Sequence, residues 1–414
     1  ERLLILDESN PKFHLEKAVF LARSGRPGPV LLDIPSDVQS AMVDEENLIT
    51  FQPEESDLVD QSNLNNQVDC LFQMINDSKR PLLFVGHGVR MAKGEEVLLQ
   101  LIEKMGVPVV TSMSAHDLVP TGHDLHIGRP GVFGDRAGNF AVQNCDLLIS
   151  IGVRHHLWNI GYNYGSFAKT AKKAIVDIDP LELNKKTVHP DLPINSDAKD
   201  FLLEFSNQFG KYLWTDMTGW VKRCKAWKKK YPVVLPEYKD EKNYVNSYYF
   251  TDLLSSLLNE GEIIVTGVGT SFTATLQCFN TKKNQRLISN VGCAAMGYDL
   301  PAAIGACFAN NKNRTILITG DGSIMLNLQE LQTIVHYNLP IKIFLLNNQG
   351  YLAIRNTQNS FFGGKLEASD SGSGVSFPDF KKIVLAFGIS YSKINDHENI
   401  EQKISDVLVS KGPV

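Results

Sequence analysis

The chain has 414 residues, of which 43% are hydrophobic and 21% are charged, and its formal net charge is -5. This composition excludes a largely disordered chain, and the small negative charge gives no reason to expect nucleic acid as a partner. No apolar run approaches the roughly 18 residues of a membrane span, and the first residues lack the organisation of a signal peptide. We therefore expect a cytoplasmic protein without membrane contact.

The first predicted unit is a single α/β pair. A helix from Phe13 is followed by the turn Gly25 to Gly28 and by a buried strand over 29–34. One such pair cannot cover both faces of a sheet, so we interpret residues 1–42 as the end of a domain whose earlier part precedes them. The polar stretch 43–65 is predicted to be a linker.

Strands and helices alternate in the next region, which we predict to be a central domain over 66–205. The predicted elements are strands at 81–86, 108–111, 145–151 and 174–178, with a helix near 95–105. Residues 206–245 are predicted to be a mostly helical connector. Its Trp220, Cys224 and Trp227 recur at helical spacing, which favours an amphipathic helix with a solvated basic face over an anion-binding patch.

The carboxyl-terminal region, 246–414, repeats the alternation with strands at 262–266, 314–319, 341–346 and near 389–394. The predicted fold class is therefore α/β, with two doubly wound parallel-sheet domains and a remnant of a third. The six cysteines, at positions 70, 145, 224, 278, 293 and 307, lack CxxC pairs and metal-ligand spacing. Reduced, buried thiols are expected.

Polar residues follow two of these strands. Gly320-Asp321-Gly322-Ser323 comes after one strand, and Asn347-Asn348 closes the next. Both groups should lie at the carboxyl ends of neighbouring parallel strands, where open α/β sheets bind ligands. Because Mg2+ takes oxygen ligands, Asp321 and Asn348 are the candidate protein ligands.

Two glycine turns are ambiguous when each is taken alone. Gly86-His87-Gly88 and the segment 267–271 could be tight strand-to-helix turns or could bind phosphate through backbone amides. The hydroxyls of Thr270 and Ser271 would suit phosphate oxygens. Together with the Asp and Asn groups, the second turn predicts a pocket for a metal diphosphate.

The sequence resembles the thiamine diphosphate enzymes, whose signature begins with GDG and ends with NN, as do Gly320 to Gly322 and Asn347-Asn348 here. The resemblance implies that Mg2+ is bound by Asp321, by Asn348 and by the backbone carbonyl of Gly350. It also implies contacts to the cofactor, and the residues expected to make them are Gly269, Thr270, Ser271, Gly322, Ser323, Asn348, Tyr351 and Leu352.

The segment Gly292 to Gly305 resembles the subfamily that contains acetolactate synthase. The resemblance implies that Met296 lies between the two cofactor rings and holds them in a bent form. It also implies that the carbonyl of Ala294 accepts a hydrogen bond from the 4'-amino group of the cofactor. Without the resemblance, a Met beside small residues is expected to be part of the core.

In this family a Glu from the amino-terminal domain of a partner subunit activates the cofactor. We expect that domain to be mostly absent from this sequence, so the catalytic Glu is unknown and the fragment alone should be inactive. The resemblance further implies a homodimer or homotetramer with the active site at the subunit interface.

Three segments of the central region are similar to those that bind FAD in acetolactate synthases: 129–134, 146–154 and 176–180. Flavin is therefore a possible second cofactor. The sequence Arg154-His155-His156 replaces the acidic pair expected there, which weakens the flavin prediction. Metal binding by the two histidines is not expected, because adjacent residues of a strand face opposite ways.

The resemblance implies decarboxylation of a 2-keto acid such as pyruvate and transfer of the acyl unit to a carbonyl acceptor. The biosynthetic enzymes carry a Trp after the Asn pair, whereas this chain has Tyr351 to Gln358, so the acceptor is expected to differ and could be a keto sugar. Arg355 either pairs with an anionic group of the substrate or faces solvent. The alternatives are hydrolytic cleavage of a cyclic diketone and a non-catalytic subunit that retains the fold.

Overall fold

The structure is a computed structural model that describes residues 3–5, 10–54, 62–212 and 216–414. The chain divides into two compact units. Unit 1 comprises Glu1–Val107, Val142–His156 and Tyr162–Trp220, and unit 2 comprises Pro108–Ala141, Leu157–Gly161 and Val221–Val414. No helix in the described ranges is long and apolar enough to cross a membrane.

The elements up to residue 107 are β1 (Leu3–Ile5), α1 (Pro11–Arg23), β2 (Leu31–Asp33), α2 (Ser36–Ser40), α3 (Leu64–Asp77), β3 (Pro81–Val85), α4 (His87–Met91) and α5 (Glu95–Met105). The next are β4 (Val109–Thr111), β5 (His126–Gly128), α6 (Arg136–Asn144), β6 (Leu147–Ile151), α7 (Leu157–Ile160), β7 (Lys172–Asp177), α8 (Pro180–Leu183), β8 (Leu192–Asn195), α9 (Ala198–Gln208) and α10 (Thr218–Lys230). The last are α11 (Ser247–Leu257), β9 (Ile263–Thr266), α12 (Thr270–Cys278), β10 (Arg286–Ser289), α13 (Asp299–Ala309), β11 (Thr315–Gly320), α14 (Asp321–Ile324), α15 (Leu331–His336), β12 (Ile341–Leu346), α16 (Leu352–Phe361), α17 (Phe380–Ala386) and α18 (Ile400–Val409).

Unit 1 contains parallel strands in the order β3-β6-β7-β8. Every residue of β3 and β6 is buried, as expected for strands that are covered on both faces. Helices α3, α5 and α9 pack together, and Phe72 of α3 stacks on Phe205 of α9 with ring centroids 4.3 Å apart. The predicted α/β fold with parallel sheets is confirmed for this unit.

Unit 2 contains the parallel pair β4-β5 and a four-stranded parallel sheet in the order β10-β9-β11-β12. Apolar residues of α11, α12 and α18 form the core with one set of strand residues. Those of α13 and α15 form a second core with the other set. Because each core includes buried residues of β9 and β11, helices cover both faces of the sheet, which confirms the doubly wound prediction.

The strand predicted near 389–394 is wrong. That segment is irregular between α17 and α18, although Ile389 is buried and Ile394 packs on the core. The edge strand β12 instead exchanges backbone hydrogen bonds with Val414, whose N–H donates to Ile341 and whose carbonyl accepts from Ile343. The fourth strand of the sheet is β10, which the sequence analysis did not identify.

The buried strand predicted over 29–34 is also wrong in its burial. Strand β2 is only three residues long and pairs with β1, and Leu31 is 65% exposed. A two-stranded sheet has too little surface to cover its own side chains, which explains the exposure. The predicted amphipathic helix is confirmed, because Trp220 and Cys224 of α10 are buried while most of its lysines are exposed.

The six cysteines are all free thiols, as expected. Cys145, Cys224, Cys278 and Cys307 are buried, but Cys70 and Cys293 are exposed, so the burial prediction is wrong at those two positions. Cys293 lies in the irregular segment that precedes α13, where no helix or strand covers it.

Candidate cofactor site

The strand order in the unit 2 sheet reverses between β9 and β11. From β9 the chain moves to β10 on one side, and then crosses to β11 on the other side. A doubly wound sheet binds its ligand in the crevice at such a reversal, outside the carboxyl ends of the strands. Those ends lead into Gly267 and Asp321, so the two segments predicted to hold a metal diphosphate both begin at this point.

Asp321 is the first residue after β11 and is 2% exposed. Its Oδ1 accepts a hydrogen bond from the N–H of Gly322 at 2.8 Å. Its Oδ2 accepts from the N–H groups of Asn348 at 3.1 Å and Gly350 at 3.2 Å. The carboxylate therefore joins the end of β11 to the loop that follows β12.

The pKa of Asp321 is raised, mainly because burial disfavours the charged carboxylate. The N–H groups of Gly350, Gly322, Gln349 and Asn348 act in the opposite direction and lower this pKa, but they do not offset burial fully. A divalent cation beside the carboxylate would favour its charged form. The Asp321 carboxylate is thus suited to act as a metal ligand.

The segment Asn347 to Tyr351, here called the Asn loop, has an unusual backbone. Gln349 has a φ of 56° and Gly350 a φ of 149°, both in the left-handed half of conformational space. A Cβ atom at Gly350 would lie 2.3 Å from the carbonyl oxygen of Ser369. Only glycine fits at this position, and the Asn loop is consequently drawn close to the segment around Ser369.

Asn348 supplies the most informative atom of the site. Its Oδ1 is buried and has no hydrogen-bond partner among the described residues. A buried amide oxygen without a donor is costly and needs an explanation, such as a bound ion. The described ranges hold no cluster of three His, Cys, Asp or Glu side chains suited to a metal. Asp321 and Asn348 instead form an all-oxygen donor set, which fits Mg2+.

The second turn begins after β9 and leads into α12. Gly269 has a φ of 68° and precedes the first helical residue, Thr270. The hydroxyl of Ser271 is buried and donates to the carbonyl oxygen of Val268 at 2.9 Å. Gly269 and Thr270 are half-buried, so the backbone at the start of α12 is open to a ligand.

Asp299 was not identified from the sequence, and it connects the parts of the site. It is fully buried at the start of α13 and accepts hydrogen bonds from the hydroxyls of Thr319 and Ser323. Ser323 in turn accepts from the N–H of Gly297 at 2.9 Å. A Cβ atom at Gly267 would lie 2.2 Å from Asp299 Oδ2. The short polar side chain next to Gly297 and Tyr298 was the only sequence signal for this role.

Met296 lies beside the GDG turn. A Cβ atom at Gly322 would lie 3.5 Å from Met296 Cε and 2.4 Å from Tyr351 Cε1, so both side chains border this glycine. Met296 is 37% exposed, which contradicts the alternative that it is simply a core residue. Ala294, in the same turn, has a φ of 50°. Leu352 is half-buried at the start of α16.

Arg355 contacts the backbone of the Asn loop, and its pairing with an anionic group of the substrate stays a prediction. Its guanidinium donates to the carbonyl oxygens of Asn348 at 2.9 Å and Gln349 at 3.2 Å. A third, longer contact of 3.5 Å reaches the carbonyl oxygen of Ser369. Arg355 is therefore engaged with the backbone of the Asn loop and is not directed at solvent alone.

Large apolar side chains are exposed in the segments next to the GDG turn and along α16. Leu326 contacts the turn at Gly297, and Ile354 and Phe361 lie on one face of α16. The exposed apolar residues of these segments include Met296, Tyr298, Leu326, Ile354, Phe361 and Phe362. Exposed apolar groups in such number are typical of an interaction surface.

The glycine turn of unit 1 has a packing explanation. A Cβ atom at Gly86 would lie 2.1 Å from the carbonyl oxygen of Gly152, so the turns after β3 and β6 are in direct contact. Arg154 forms an ion pair with Glu182 at 2.9 Å. His155 is buried against Ser150, and burial lowers its pKa to about 3, so it is neutral. These contacts favour the tight-turn interpretation of Gly86 and Gly88.

Comparison with known proteins agrees with the site. The family described as "Thiamine pyrophosphate enzyme, C-terminal TPP binding domain" matches residues 267–414, which contain every residue of the site in unit 2. The family described as "Thiamine pyrophosphate enzyme, central domain" matches residues 68–205. The chain belongs to the thiamine pyrophosphate enzymes, as the GDG and NN signature predicted, and to the acetolactate synthase-like group within them, as the segment Gly292 to Gly305 predicted.

Several similar proteins are acetolactate synthases by name. The acetolactate synthase large subunit of Porphyra purpurea is 31% identical over 406 residues, which cover 96% of this chain and 67% of the relative. Acetolactate synthase 2, chloroplastic, of Nicotiana tabacum is 32% identical over 422 residues, covering 99% of this chain and 62% of the relative. The probable acetolactate synthase large subunit of Methanocaldococcus jannaschii is 32% identical over 403 residues, covering 95% and 66% respectively.

Proposed function

We propose that this chain binds Mg2+ together with thiamine diphosphate at the carboxyl ends of β9 and β11. The observation that carries the proposal is the buried, unpartnered Oδ1 of Asn348 near the buried carboxylate of Asp321. These two oxygens, with the backbone carbonyl of Gly350, would hold the metal. Gly322 and Ser323 on one turn, and Gly269, Thr270 and Ser271 on the other, would contact the diphosphate.

The bound cofactor supplies a carbanion and an electron sink for cleavage of a bond next to a carbonyl group. The protein would position the cofactor and the substrate and would exclude water from them. Met296 and Tyr351, which border Gly322, would pack against the cofactor rings together with Leu352. The carbonyl of Ala294 would hold the amino group of the cofactor, and the left-handed backbone of this residue supports a fixed orientation of the turn.

The reaction we propose is decarboxylation of a 2-keto acid, pyruvate, followed by transfer of the two-carbon unit to a carbonyl acceptor. The acetolactate synthases among the relatives support the donor half of this proposal. The acceptor we propose is a keto sugar. Exposed Asn356, Thr357 and Asn359 of α16 offer neutral polar groups, and the guanidinium of Arg355 already donates to two carbonyl oxygens of the Asn loop.

We further propose that the active protein is a homo-oligomer, a dimer or a tetramer, in which a partner copy covers the apolar face around Met296 and Phe361. The exposure of these side chains, with Phe361 at 80%, supports this. The activating Glu would come from that partner. FAD binding by the segments 129–134, 146–154 and 176–180, cytoplasmic location and the domain limits given above stay predictions, and relatives named as chloroplastic show that location varies among similar proteins.

The test uses the complete protein with pyruvate, Mg2+ and thiamine diphosphate. CO2 release, and a product that joins the two-carbon unit to a keto sugar, are the expected results. Mass analysis of products formed in 18O-labelled water separates carboligation from hydrolytic cleavage of a diketone, since only hydrolysis incorporates label at the new carboxyl group. Absence of CO2 release with every keto acid and acceptor tried would contradict the proposal. A yellow colour of the purified protein would report bound flavin.

A further inference from the structure

We infer that Arg355 is a positioning residue for the metal, which fixes the Asn loop in its ligating conformation without contacting the metal or the substrate. The inference rests on the proposed Mg2+ site. Arg355 lies in the first turn of α16, and its own N–H donates to the carbonyl oxygen of Tyr351 at 2.9 Å. Its guanidinium therefore projects from a helix that begins directly after the Asn loop.

The Asn loop needs support because its backbone is strained. A left-handed conformation costs a non-glycine residue such as Gln349 roughly 1–2 kcal/mol. Conformations of this kind persist only where the surroundings over-determine them. The guanidinium of Arg355 contacts the carbonyl oxygens of Asn348 and Gln349, which belong to the peptide bonds before and after the strained residue.

Polar groups of the Asn loop are divided between two side chains. Its N–H groups at Asn348 and Gly350 donate to Asp321, and its carbonyl groups at Asn348 and Gln349 accept from Arg355. Asn348 is thus held through both its N–H and its carbonyl. Rotation of its backbone would break both contacts, so Asp321 and Arg355 together fix the backbone from which the Asn348 side chain projects.

Charge alone would make Arg355 unfavourable here, because a cation repels Mg2+. Burial raises the pKa of Asp321, and the backbone N–H groups that it accepts lower this pKa in part. The guanidinium faces carbonyl oxygens, and its fork geometry suits two adjacent acceptors in a way that the single ammonium of a lysine does not. Its contribution is therefore geometric.

The end of the Asn loop and the start of α16 also form hydrogen bonds with the segment near Ser369. The N–H of Tyr351 donates to the Ser369 carbonyl at 2.8 Å, and Arg355 approaches that carbonyl at 3.5 Å. Gln358, one turn after Arg355 on α16, accepts from the hydroxyl of Ser369 at 2.8 Å. Loss of Arg355 therefore leaves the segment in place and removes the specific hold on Asn348 and Gln349.

The test compares Arg355→Ala, Arg355→Lys and Arg314→Ala in the complete protein. Arg314 is a matched control, since it also donates to a backbone carbonyl, that of Leu408, but lies at the opposite end of β11. The readout is the Mg2+ concentration that half-saturates thiamine diphosphate binding, followed by fluorescence, together with kcat and KM for pyruvate at saturating Mg2+.

Arg355→Ala is expected to raise the half-saturating Mg2+ concentration by about tenfold or more, as befits the loss of two charge-assisted hydrogen bonds. At saturating Mg2+, KM for pyruvate should stay within about threefold of the wild-type value, on the same scale of effects. Arg355→Lys should recover part of the Mg2+ affinity. Arg314→Ala should lower the melting temperature and leave the Mg2+ requirement unchanged.

If Arg355→Ala bound thiamine diphosphate with the same Mg2+ requirement as the wild type, the inference about Arg355 would be overturned and the proposed function would stand. An equal rise in Arg314→Ala would do the same, because it would reduce the effect to general destabilisation. If the wild-type protein showed no Mg2+-dependent binding of thiamine diphosphate, the proposed function would fail, and this inference with it.

Discussion

Asp321 and Arg355 bind opposite polar groups of one loop: Asp321 accepts its N–H groups and Arg355 donates to its carbonyl groups. The acid follows β11 and the base lies on α16, so the loop is held between two elements that are separate in the sequence. Between them lies Asn348, whose side-chain oxygen has no donor within the described parts of the chain. The loop backbone is thus held on both sides, and the Asn348 Oδ1 has no hydrogen-bond donor among the described residues.

Gly350→Ala should disrupt this arrangement. A Cβ atom there would lie 2.3 Å from the Ser369 carbonyl oxygen and 2.6 Å from Arg355 Nη1, and a φ of 149° is unfavourable for alanine. We expect the Mg2+ requirement to rise by about tenfold or more, since a backbone clash cannot be relieved by a side-chain rotation. Titration of Mg2+ at fixed thiamine diphosphate measures it.

Gly372→Ala is the control for this change, because its Cβ atom would meet only Asp370 Oδ1 at an ordinary 3.6 Å. This variant should bind Mg2+ as the wild type does. Equal behaviour of the two variants would show that the backbone of the Asn loop is not constrained as described.

Cys293 should report on the site by its reactivity. It is exposed two residues before Ala295, whereas burial raises the pKa of Cys145 to about 12 and makes that thiol inert. In the complete protein, Mg2+ with thiamine diphosphate should slow alkylation of Cys293 and leave Cys70, in unit 1, unaffected. Peptide mass analysis over time gives both alkylation rates. If the cofactor did not change the rate at Cys293, this would argue against a cofactor site beside the turn that contains Cys293.

The acid stability of unit 1 should depend on His155. Burial lowers its pKa from 6.5 to about 3, so between these values the unfolded chain binds a proton that the folded chain does not. The free energy of unfolding therefore falls as the pH decreases below 6.5, by about 2 kcal/mol at pH 5. His155→Gln removes the titrating group and can retain the hydrogen bond to Ser150.

Urea unfolding of both proteins at pH 7 and pH 5 measures the difference. The wild type should lose about 2 kcal/mol more than His155→Gln over this interval. Parallel losses would mean that His155 is not buried in its neutral form.

The sequence predicted the site well where its chemistry is local. Asp321 and Asn348 follow apolar strand-forming runs, and the carboxyl ends of parallel strands meet at one edge of a sheet, so their proximity could be inferred before the structure was known. The exposure of Met296 could not be inferred from its small neighbours, which are equally compatible with a core position.

Contacts between distant segments were beyond the sequence. The partners of Arg355 are backbone carbonyls, which every residue possesses, so no side-chain pattern could indicate them. Asp299 lies within the segment Gly292 to Gly305, but its partners come from β11 and α14, which the sequence pattern does not indicate. The strand predicted near 389–394 is absent for a related reason. Its residues are as apolar as those of a strand, but β12 forms its edge hydrogen bonds with Val414 instead.

The most direct test of the central claim is calorimetry of Asn348→Ala with and without Mg2+ and thiamine diphosphate. Removing an unpartnered buried oxygen should leave the cofactor-free melting temperature of unit 2 unchanged or higher. Saturating cofactor at about 100 times its Kd should stabilise the wild type by about 2.7 kcal/mol, and most of that gain should be lost in the variant.

Asn246→Ala is the matched control, because the Oδ1 of Asn246 already accepts from Tyr248 and Tyr249 at the start of α11. It should lower the cofactor-free melting temperature and keep the cofactor-induced gain. The account predicts that Asn348→Ala shows the reverse pattern, and a full cofactor-induced gain in Asn348→Ala would contradict it.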